Sequence, residues 1–243
     1  MRSRFWILTS QSILAAAFIV LISTTAFAQD QGSADLDKAL EAKFNAKSTK
    51  DLDSVVKLCK SALEKGLNKE DTIEANQLAG AALFEHADQL SQRIFSARRD
   101  GRWRIYRSQA LTRLRKAVKY QPEMAEAYLL IARLNGELEA GDEEEALEAI
   151  EKAVELAGDN DQQLSNALLW RAKLIDDAES QIADLNQSIE INPDNIEAVR
   201  RRADYYLMKR KPKDALPDLK KLLDADPKNV KKHIVVALSL IHI

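Results

Sequence analysis

Residues Ile196–Asn229 read IEAVRRRADYYLMKRKPKDALPDLKKLLDADPKN, and this stretch decides the fold. It holds two apolar stripes at helical spacing, separated by a basic turn that ends at Pro212. Proline suits the first turn of a helix, because its missing N–H would have no intrahelical partner there. Pro227 then ends the second stripe. The stretch therefore predicts two antiparallel helices, whose apolar stripes are Val199, Ala203, Tyr206 and Leu207, and then Ala215, Leu216, Leu219, Leu222 and Leu223.

The same pattern recurs upstream at intervals of roughly 35 residues, which is the spacing of helix-pair repeats. Residues that can close a helix pair keep this interval, and so do two series of positions inside the second helix of each pair. The three series are Pro122, Gly158, Pro193 and Pro227; Ala117, Ala153, Ser188 and Leu222; and Ala110, Ala146, Gln181 and Ala215. Three series in one register indicate repeated units, which we place at Ala125–Asn160, Asp161–Asn195 and Ile196–Asn229.

Repeated helix pairs of roughly 34 residues, with small residues where the helices cross, resemble the tetratricopeptide repeat. The resemblance is clear over residues 108–229 and looser before them. It is carried by Tyr128, Gly141-Asp142, Ala146, Ala153, Ala172, Ile189, Asn192-Pro193-Asp194-Asn195, Ala203, Tyr206, Ala215 and Asp226-Pro227. It implies an all-α fold, namely a right-handed α-solenoid of antiparallel helix pairs. It also implies a concave wall, formed mainly by the first helix of each pair, that binds peptides or partner proteins.

The last unit departs from the family pattern at Pro217, which stands inside its second helix. A proline there removes one backbone hydrogen bond, so we expect a bend or a loosened first turn over Lys213–Pro217.

The section before the repeats, residues 29–107, predicts irregular helical pairs. Helices are expected over Ala34–Ala46 and Leu52–Lys65, followed by a longer helix that begins at Asp71, and the next helix is expected over Ser108–Tyr120. Cys59 is the only cysteine, and it lies on the apolar stripe of the second of these helices. We therefore expect it to be a small buried hydrophobic residue and not a reactive thiol.

Residues 1–28 have the organisation of a bacterial secretory signal peptide. Arg2 and Arg4 give a positive start, residues 13–22 form an uncharged apolar core, and Ala26-Phe27-Ala28 is a small-residue cleavage site. We expect cleavage after Ala28 and export to the periplasm or cell envelope. The alternative is an uncleaved anchor, because the apolar stretch from Phe5 is almost long enough to cross a bilayer. Beyond this segment, no membrane contact is predicted.

Residues 230–243 begin a further unit, since Ala237 stands where Ala203 stands in the unit before it. The sequence stops before a second helix or a polar capping helix, which solenoids need for solubility. We interpret the chain as a fragment of a longer repeat protein and the residues from Ser239 onward, SLIHI, as artefactual read-through.

The sequence contains no recognisable catalytic constellation. It has no glycine-rich phosphate loop, no G-x-S-x-G nucleophile elbow and no H-E-x-x-H zinc motif. His86 stands between Glu85 and Asp88 in a helical stretch, with no second histidine one turn further on. We expect a solvent-facing or capping histidine there in preference to a metal ligand. The sequence therefore predicts a protein that is not an enzyme and has no cofactor or metal.

Charge is distributed in blocks, although the formal net charge is only −2. Arg93–Lys119 has ten basic residues and one acidic residue, Glu137–Asp161 has eleven acidic residues and one lysine, and Arg200–Lys213 has seven basic residues and one aspartate. The first block suits an anion or nucleic-acid surface, although its Trp103 and Ile105 are expected to be buried. The alternative, which we favour, is an array with alternating surface charge whose neighbouring units attract one another. On that interpretation no nucleic-acid partner is expected.

Four charged residues on the predicted first helices are candidates for a peptide-binding site: Arg133, Lys173, Arg200 and Asp204. A basic groove would suit an acidic segment or a C-terminal carboxylate through charge-assisted hydrogen bonds. The alternative is that each is an ordinary solvated position. The sequence thus favours a non-catalytic scaffold that binds protein or peptide segments in the periplasm or cell envelope. The alternative of another class is a regulatory or targeting arm of a larger enzyme.

Overall fold

The computed structural model describes residues 32–96, 101–139 and 141–226, and every regular element in these ranges is an α-helix. The first, α1, covers residues 32–44. The others are α2 Thr49–Lys65, α3 Lys69–Phe95, α4 Trp103–Tyr120, α5 Ala125–Gly136, α6 Glu143–Ala157, α7 Asp161–Leu174, α8 Ala178–Ile191, α9 Ile196–Met208 and α10 Pro212–Ala225. The predicted signal peptide, its alternative as an anchor and the predicted incomplete unit at 230–243 lie outside the described residues.

Local sequence explains where most of these helices begin. Ser48 caps α2 and forms a capping box, because its side chain accepts from the Asp51 N–H while the Asp51 carboxylate accepts from the Ser48 N–H. Four later helices have an N-cap side chain that accepts from the backbone N–H three residues on. These caps are Asp142 before α6, Asn160 before α7, Asp177 before α8 and Asn195 before α9.

The chain forms two compact units, the first of which contains the described residues up to Gln89 together with Lys119–Gln121. Its core consists of small and medium apolar residues from α1, α2 and α3, including Val55, Cys59 and Ala79 with no exposed surface. Such small side chains let helix backbones approach closely. Cys59 is buried as predicted, and burial raises the pKa of its thiol to about 11.

The second unit contains residues 90–118 and those from Pro122 onward, and it holds the predicted repeats. Helices pack in consecutive pairs, α5 with α6, α7 with α8 and α9 with α10. The pairs are joined because α6 packs on α7 and α8 packs on α9, while the first helices α5 and α7 also touch. Each pair has an apolar face that its neighbours cover, as expected of a solenoid. The fold is therefore an all-α solenoid, as the sequence predicted.

Two of the three helix pairs contain an arginine–aspartate contact in which the aspartate is buried and the arginine is partly exposed. Arg171 of α7 donates two hydrogen bonds to Asp184 of α8, at 2.9 and 2.7 Å. Arg202 of α9 binds Asp218 of α10 in the same way, at 2.8 and 2.7 Å. Asp184 and Asp218 thus occupy the same position in successive repeats. The equivalent residue of the first pair is Ala149, which is buried in α6, so that pair packs there without charge.

Two sequence-based expectations need correction. His86 does not face solvent, because only 6% of it is exposed and its Nδ1 lies 3.1 Å from Asp53 Oδ1. Helix α4 begins at Trp103, earlier than the predicted Ser108. Helix α10 continues through Pro217, and Lys211 O accepts from the N–H groups of Asp214 and Ala215 at 3.1 and 3.3 Å. The bend or loosened first turn expected over Lys213–Pro217 stays a prediction. In the described ranges, none of the helices has the length and apolarity to span a bilayer.

Candidate functional site

The first helices α5 and α7, together with the end of α3, carry a group of stacked cationic and aromatic side chains, which we call the cation–aromatic patch. It consists of Phe95, Arg133, Glu137, Trp170 and Lys173. The Arg133 guanidinium lies over two rings, 4.8 Å from the centroid of Phe95 and 4.5 Å from that of Trp170. The Lys173 ammonium lies 3.1 Å from the Trp170 centroid. Both cations are thus held against π faces, which attract positive charge.

Glu137 joins the two cations of the patch. Lys173 Nζ donates to its Oε1 at 2.8 Å, and Arg133 lies 3.8 Å from its Oε2. The carboxylate comes from the residue that follows the last turn of α5, while Lys173 comes from α7 of the next pair. Burial lowers the pKa of Lys173, and the hydrogen bond to Glu137 opposes this shift. The patch is therefore a partly desolvated cationic site in which Glu137 offsets part of the positive charge.

A cavity of about 360 Å³ adjoins Lys173 between α7, α8 and α9. Its apolar lining is Ala172, Ala178, Leu185, Tyr205 and Met208, and its charged lining is Lys173, Asp176, Arg201, Asp204 and Lys209. Pockets of a few hundred cubic ångströms with apolar walls and a few polar groups are the usual form of ligand sites. The cavity therefore has the size and lining to receive a side chain of a partner.

The comparisons with solved structures concern the arrangement of helices. One match is the crystal structure of YrrB, described as a TPR protein with an unusual peptide-binding site; it is 17% identical, with 90% of this chain and 97% of that chain covered and a TM-score of 0.53. Others are a TPR protein of Thermus thermophilus (17% identity, 87% and 100% coverage, TM-score 0.45) and MamA (18% identity, 82% and 94% coverage, TM-score 0.48). The fold assignment rests on the first of these. The chain has the tetratricopeptide-repeat fold.

Similarity at the level of sequence does not extend this assignment. No protein-family model matches the chain, and no curated protein does so either. The tetratricopeptide-repeat fold agrees with the resemblance carried by the repeat positions. The residues of the site must be considered on their own geometry.

The tetratricopeptide-repeat fold brings three of the four predicted site residues into one region. Arg133 and Lys173 share Trp170 and Glu137, and Lys173 lines the same cavity as Asp204. Arg200 does not line that cavity, and it forms an ion pair with Glu197 at 3.2 Å on the exposed side of α9. Whether any of the four binds a peptide stays a prediction.

Sequence reasoning missed Trp170, Glu137, Arg201 and Tyr205. Trp170 had a usable signal, because it stands three residues before Lys173 and therefore on the same side of α7. Glu137 stands four residues after Arg133, a spacing that favours their ion pair. Its contact with Lys173 had no such signal, since it joins residues 36 positions apart.

The basic block at Arg93–Lys119 contributes to a second cavity, of about 620 Å³, whose lining includes Arg104, Arg107, Arg115 and Asp142. Arg107 donates to Leu134 O at 2.8 Å and to Asn135 Oδ1 at 2.6 Å, and burial lowers its pKa. Arg115 donates two hydrogen bonds to Glu145, at 2.7 and 2.6 Å. These two arginines therefore bind α5 and α6 of the following repeat. The exposure of the block is also uneven, because Trp103 is buried whereas Ile105, expected to be buried, is 55% exposed.

Among the described residues, no group of three His, Cys, Asp or Glu side chains is arranged to hold a metal ion. What the candidate site offers chemically is charge, aromatic faces and an apolar cavity. These properties suit binding.

Proposed function

We propose that the protein is a non-catalytic scaffold that binds a protein or peptide segment. The binding face is the one that carries the cation–aromatic patch and the cavity between α7, α8 and α9. The observation that carries this proposal is the position of the 360 Å³ cavity beside Lys173, where apolar side chains and several charged groups from two successive repeats surround one space. An extended segment can place an apolar side chain in such a cavity and bind the charged rim through hydrogen bonds. YrrB, which has a similar fold, is described as having a peptide-binding site.

We further propose that the protein works in the periplasm or cell envelope after cleavage at Ala28. The support is the positive start, apolar core and small-residue cleavage site of residues 1–28. Expression of the full chain in a bacterium with two membranes would test this. We expect the protein in the periplasmic fraction, with an N-terminus at Gln29 by mass spectrometry. A chain that keeps Met1 and sediments with membranes would indicate an anchor instead.

Site-specific photo-crosslinking tests the binding face. The photoreactive amino acid p-benzoylphenylalanine replaces Tyr205, which lines the cavity, and in a matched variant it replaces Leu147, a 41% exposed residue of the second helix α6. After exposure to a cell-envelope extract, we expect a discrete protein adduct from position 205 and none from position 147. Equal labelling at both positions, or none at either, would count against a scaffold that uses this face.

The anion-binding alternative has weaker support, because Arg107 and Arg115 of the basic block already bind neighbouring helices. Fluorescence anisotropy with labelled single-stranded DNA at several salt concentrations would separate the two proposals. Tight binding with a steep salt dependence would favour the nucleic-acid surface. The alternative of a regulatory arm requires a catalytic domain in the same gene, which sequencing of the surrounding DNA would reveal.

A further inference from the structure

Glu137 occupies a position that a partner's carboxylate could also fill. Its carboxylate lies between a lysine and an arginine that come from successive repeats, 2.8 Å from Lys173 Nζ and 3.8 Å from Arg133. The side chain is 28% exposed and extends from the residue after α5, where the backbone leaves the helix. It is therefore a solvent-accessible counter-ion at the end of a helix, and no helical backbone has to move for it to swing away.

The cations would remain in place during such a movement. The Arg133 side chain lies against the rings of both Phe95 and Trp170, and Lys173 rests on Trp170 with its side chain 15% exposed. Lys173 and Arg133 lose part of their charge compensation when Glu137 moves away, and another carboxylate restores it. Movement of Glu137 away from Lys173 and Arg133 is therefore more favourable when a carboxylate of the partner takes its place.

The space beside Lys173 indicates what accompanies that carboxylate. The 360 Å³ cavity has Ala172 and Leu185 among its apolar lining, with Tyr205 and the 84% exposed Met208 also around it. A segment whose acidic side chain reaches Lys173 has its neighbouring residue over this cavity. An apolar neighbour removes these side chains from water, and the acidic side chain meets the opposite charge of Lys173 and Arg133. The rim of the cavity carries charges of both signs, namely Asp176 and Asp204 beside Arg201 and Lys209.

We propose that Glu137 stands in for a ligand, and that the partner is an extended segment with an acidic residue beside an apolar one, which binds by exchange with Glu137. The acidic side chain pairs with Lys173 and Arg133, and the apolar side chain enters the cavity. This inference rests on the proposed scaffold function and specifies its ligand and its internal competitor. The exchange predicts that removal of the Glu137 carboxylate strengthens binding of the segment.

The experiment begins with random peptides displayed on phage, selected against the purified protein. Affinities of the recovered peptides, synthesised with blocked ends, are then measured by fluorescence anisotropy on four proteins. These are the wild type, Glu137→Gln, Lys173→Met and the control Glu139→Gln, which changes an exposed carboxylate two residues away. Thermal melting of each variant confirms that it is folded.

We expect recovered peptides to be enriched in an acidic residue next to an apolar one. Glu137→Gln should bind them about fivefold more tightly and Lys173→Met about tenfold more weakly, since each charge-assisted hydrogen bond contributes on this order. Glu139→Gln should bind like the wild type. Peptides with no acidic preference, or equal affinity of Glu137→Gln and wild type, would overturn the exchange, and so would a selection that yields no binder. The scaffold proposal is judged separately, by the crosslinks at positions 205 and 147.

Discussion

Arg171 and Lys173 stand two residues apart on α7, yet they have different partners and different surroundings. Arg171 turns toward α8, where Asp184, with its side chain 7% exposed, accepts two hydrogen bonds from it. That contact raises the pKa of Arg171 further, because the hydrogen bonds favour its charged form. Lys173 lies on the Trp170 ring and pairs with Glu137, whose side chain is 28% exposed. One contact holds a helix pair together, and the other lies beside an open cavity.

The difference separates contacts within a helix pair from contacts between successive pairs. The Arg171–Asp184 contact lies within one pair and has a counterpart in Arg202–Asp218. The Lys173–Glu137 contact joins successive pairs, and the position equivalent to Lys173, directly after the small residue Ala203, is the acidic Asp204. The paired hydrogen bonds of Arg171–Asp184 and Arg202–Asp218 join the two helices of a pair, whereas the Lys173–Glu137 contact lies beside the cavity that we propose as the binding site.

The largest expected effect comes from breaking the buried contact on one side. Asp184→Ala leaves the Arg171 guanidinium between α7 and α8 without its main acceptor, so we expect the free energy of unfolding to fall by about 3 kcal/mol. Urea denaturation followed by circular dichroism measures this. The control Glu190→Ala removes an exposed carboxylate from the same helix and should change stability by about 0.5 kcal/mol or less. An equal effect of the two substitutions would show that the Arg171–Asp184 contact does not hold the pair together.

A smaller loss of stability is expected when a buried network of hydrogen bonds between uncharged side chains of the same helix pair is disrupted. Ser165 Oγ lies 2.9 Å from Ser188 O and accepts from Asn195 Nδ2 at 2.9 Å, and Ser188 Oγ donates to Ser165 O at 2.8 Å. Ser165→Ala leaves the Asn195 amide with a lost acceptor inside the protein, which should cost about 2 kcal/mol. The same urea titration measures it. Gln187→Ala, an exposed change on α8, is the control and should be near neutral.

The first compact unit contains a carboxylate, Asp35, whose contribution to stability depends on pH. Lys65 Nζ and Ser61 Oγ donate to Asp35 at 2.5 and 2.6 Å, and these bonds lower the pKa of Asp35 from 3.8 to about 2. A lowered pKa means that its stabilisation is complete above the ordinary pKa and is lost as the pH falls toward 2. Asp35→Asn should therefore lower the melting temperature most at pH 6.

The melting temperatures of wild type and Asp35→Asn should approach one another as the pH is lowered from about 4 toward 2. Asp37→Asn, an exposed change on the same helix, should differ little from the wild type at any pH. A difference between wild type and Asp35→Asn that stays constant from pH 6 to pH 3 would mean that the carboxylate charge is not what stabilises α1.

The parts of this architecture that sequence predicted are those set by neighbours along the chain. Proline suits the first turn of a helix, and α10 begins at Pro212 as expected. His86 was misjudged because its partner Asp53 is 33 residues away, on another helix. The contact of Glu137 with Lys173, 36 residues away, was missed for the same reason. Repeat spacing gives the pairing of helices, but it does not give the rotation of each helix that decides which side chains meet.

The smallest expected effect on stability is that of Glu137→Gln. It tests most directly whether the Lys173–Glu137 contact differs in role from the Arg171–Asp184 contact. The ion pair is partly exposed and comes from the end of a helix, where such pairs contribute about 1 kcal/mol or less. The amide can still accept from Lys173, so we expect the urea midpoint to change little beside the fall caused by Asp184→Ala. A loss of about 3 kcal/mol, equal to that of the buried pair, would place Glu137 among the residues that maintain the fold. It would then be too firmly held to exchange with a ligand, and the two sides of α7 would serve the same purpose.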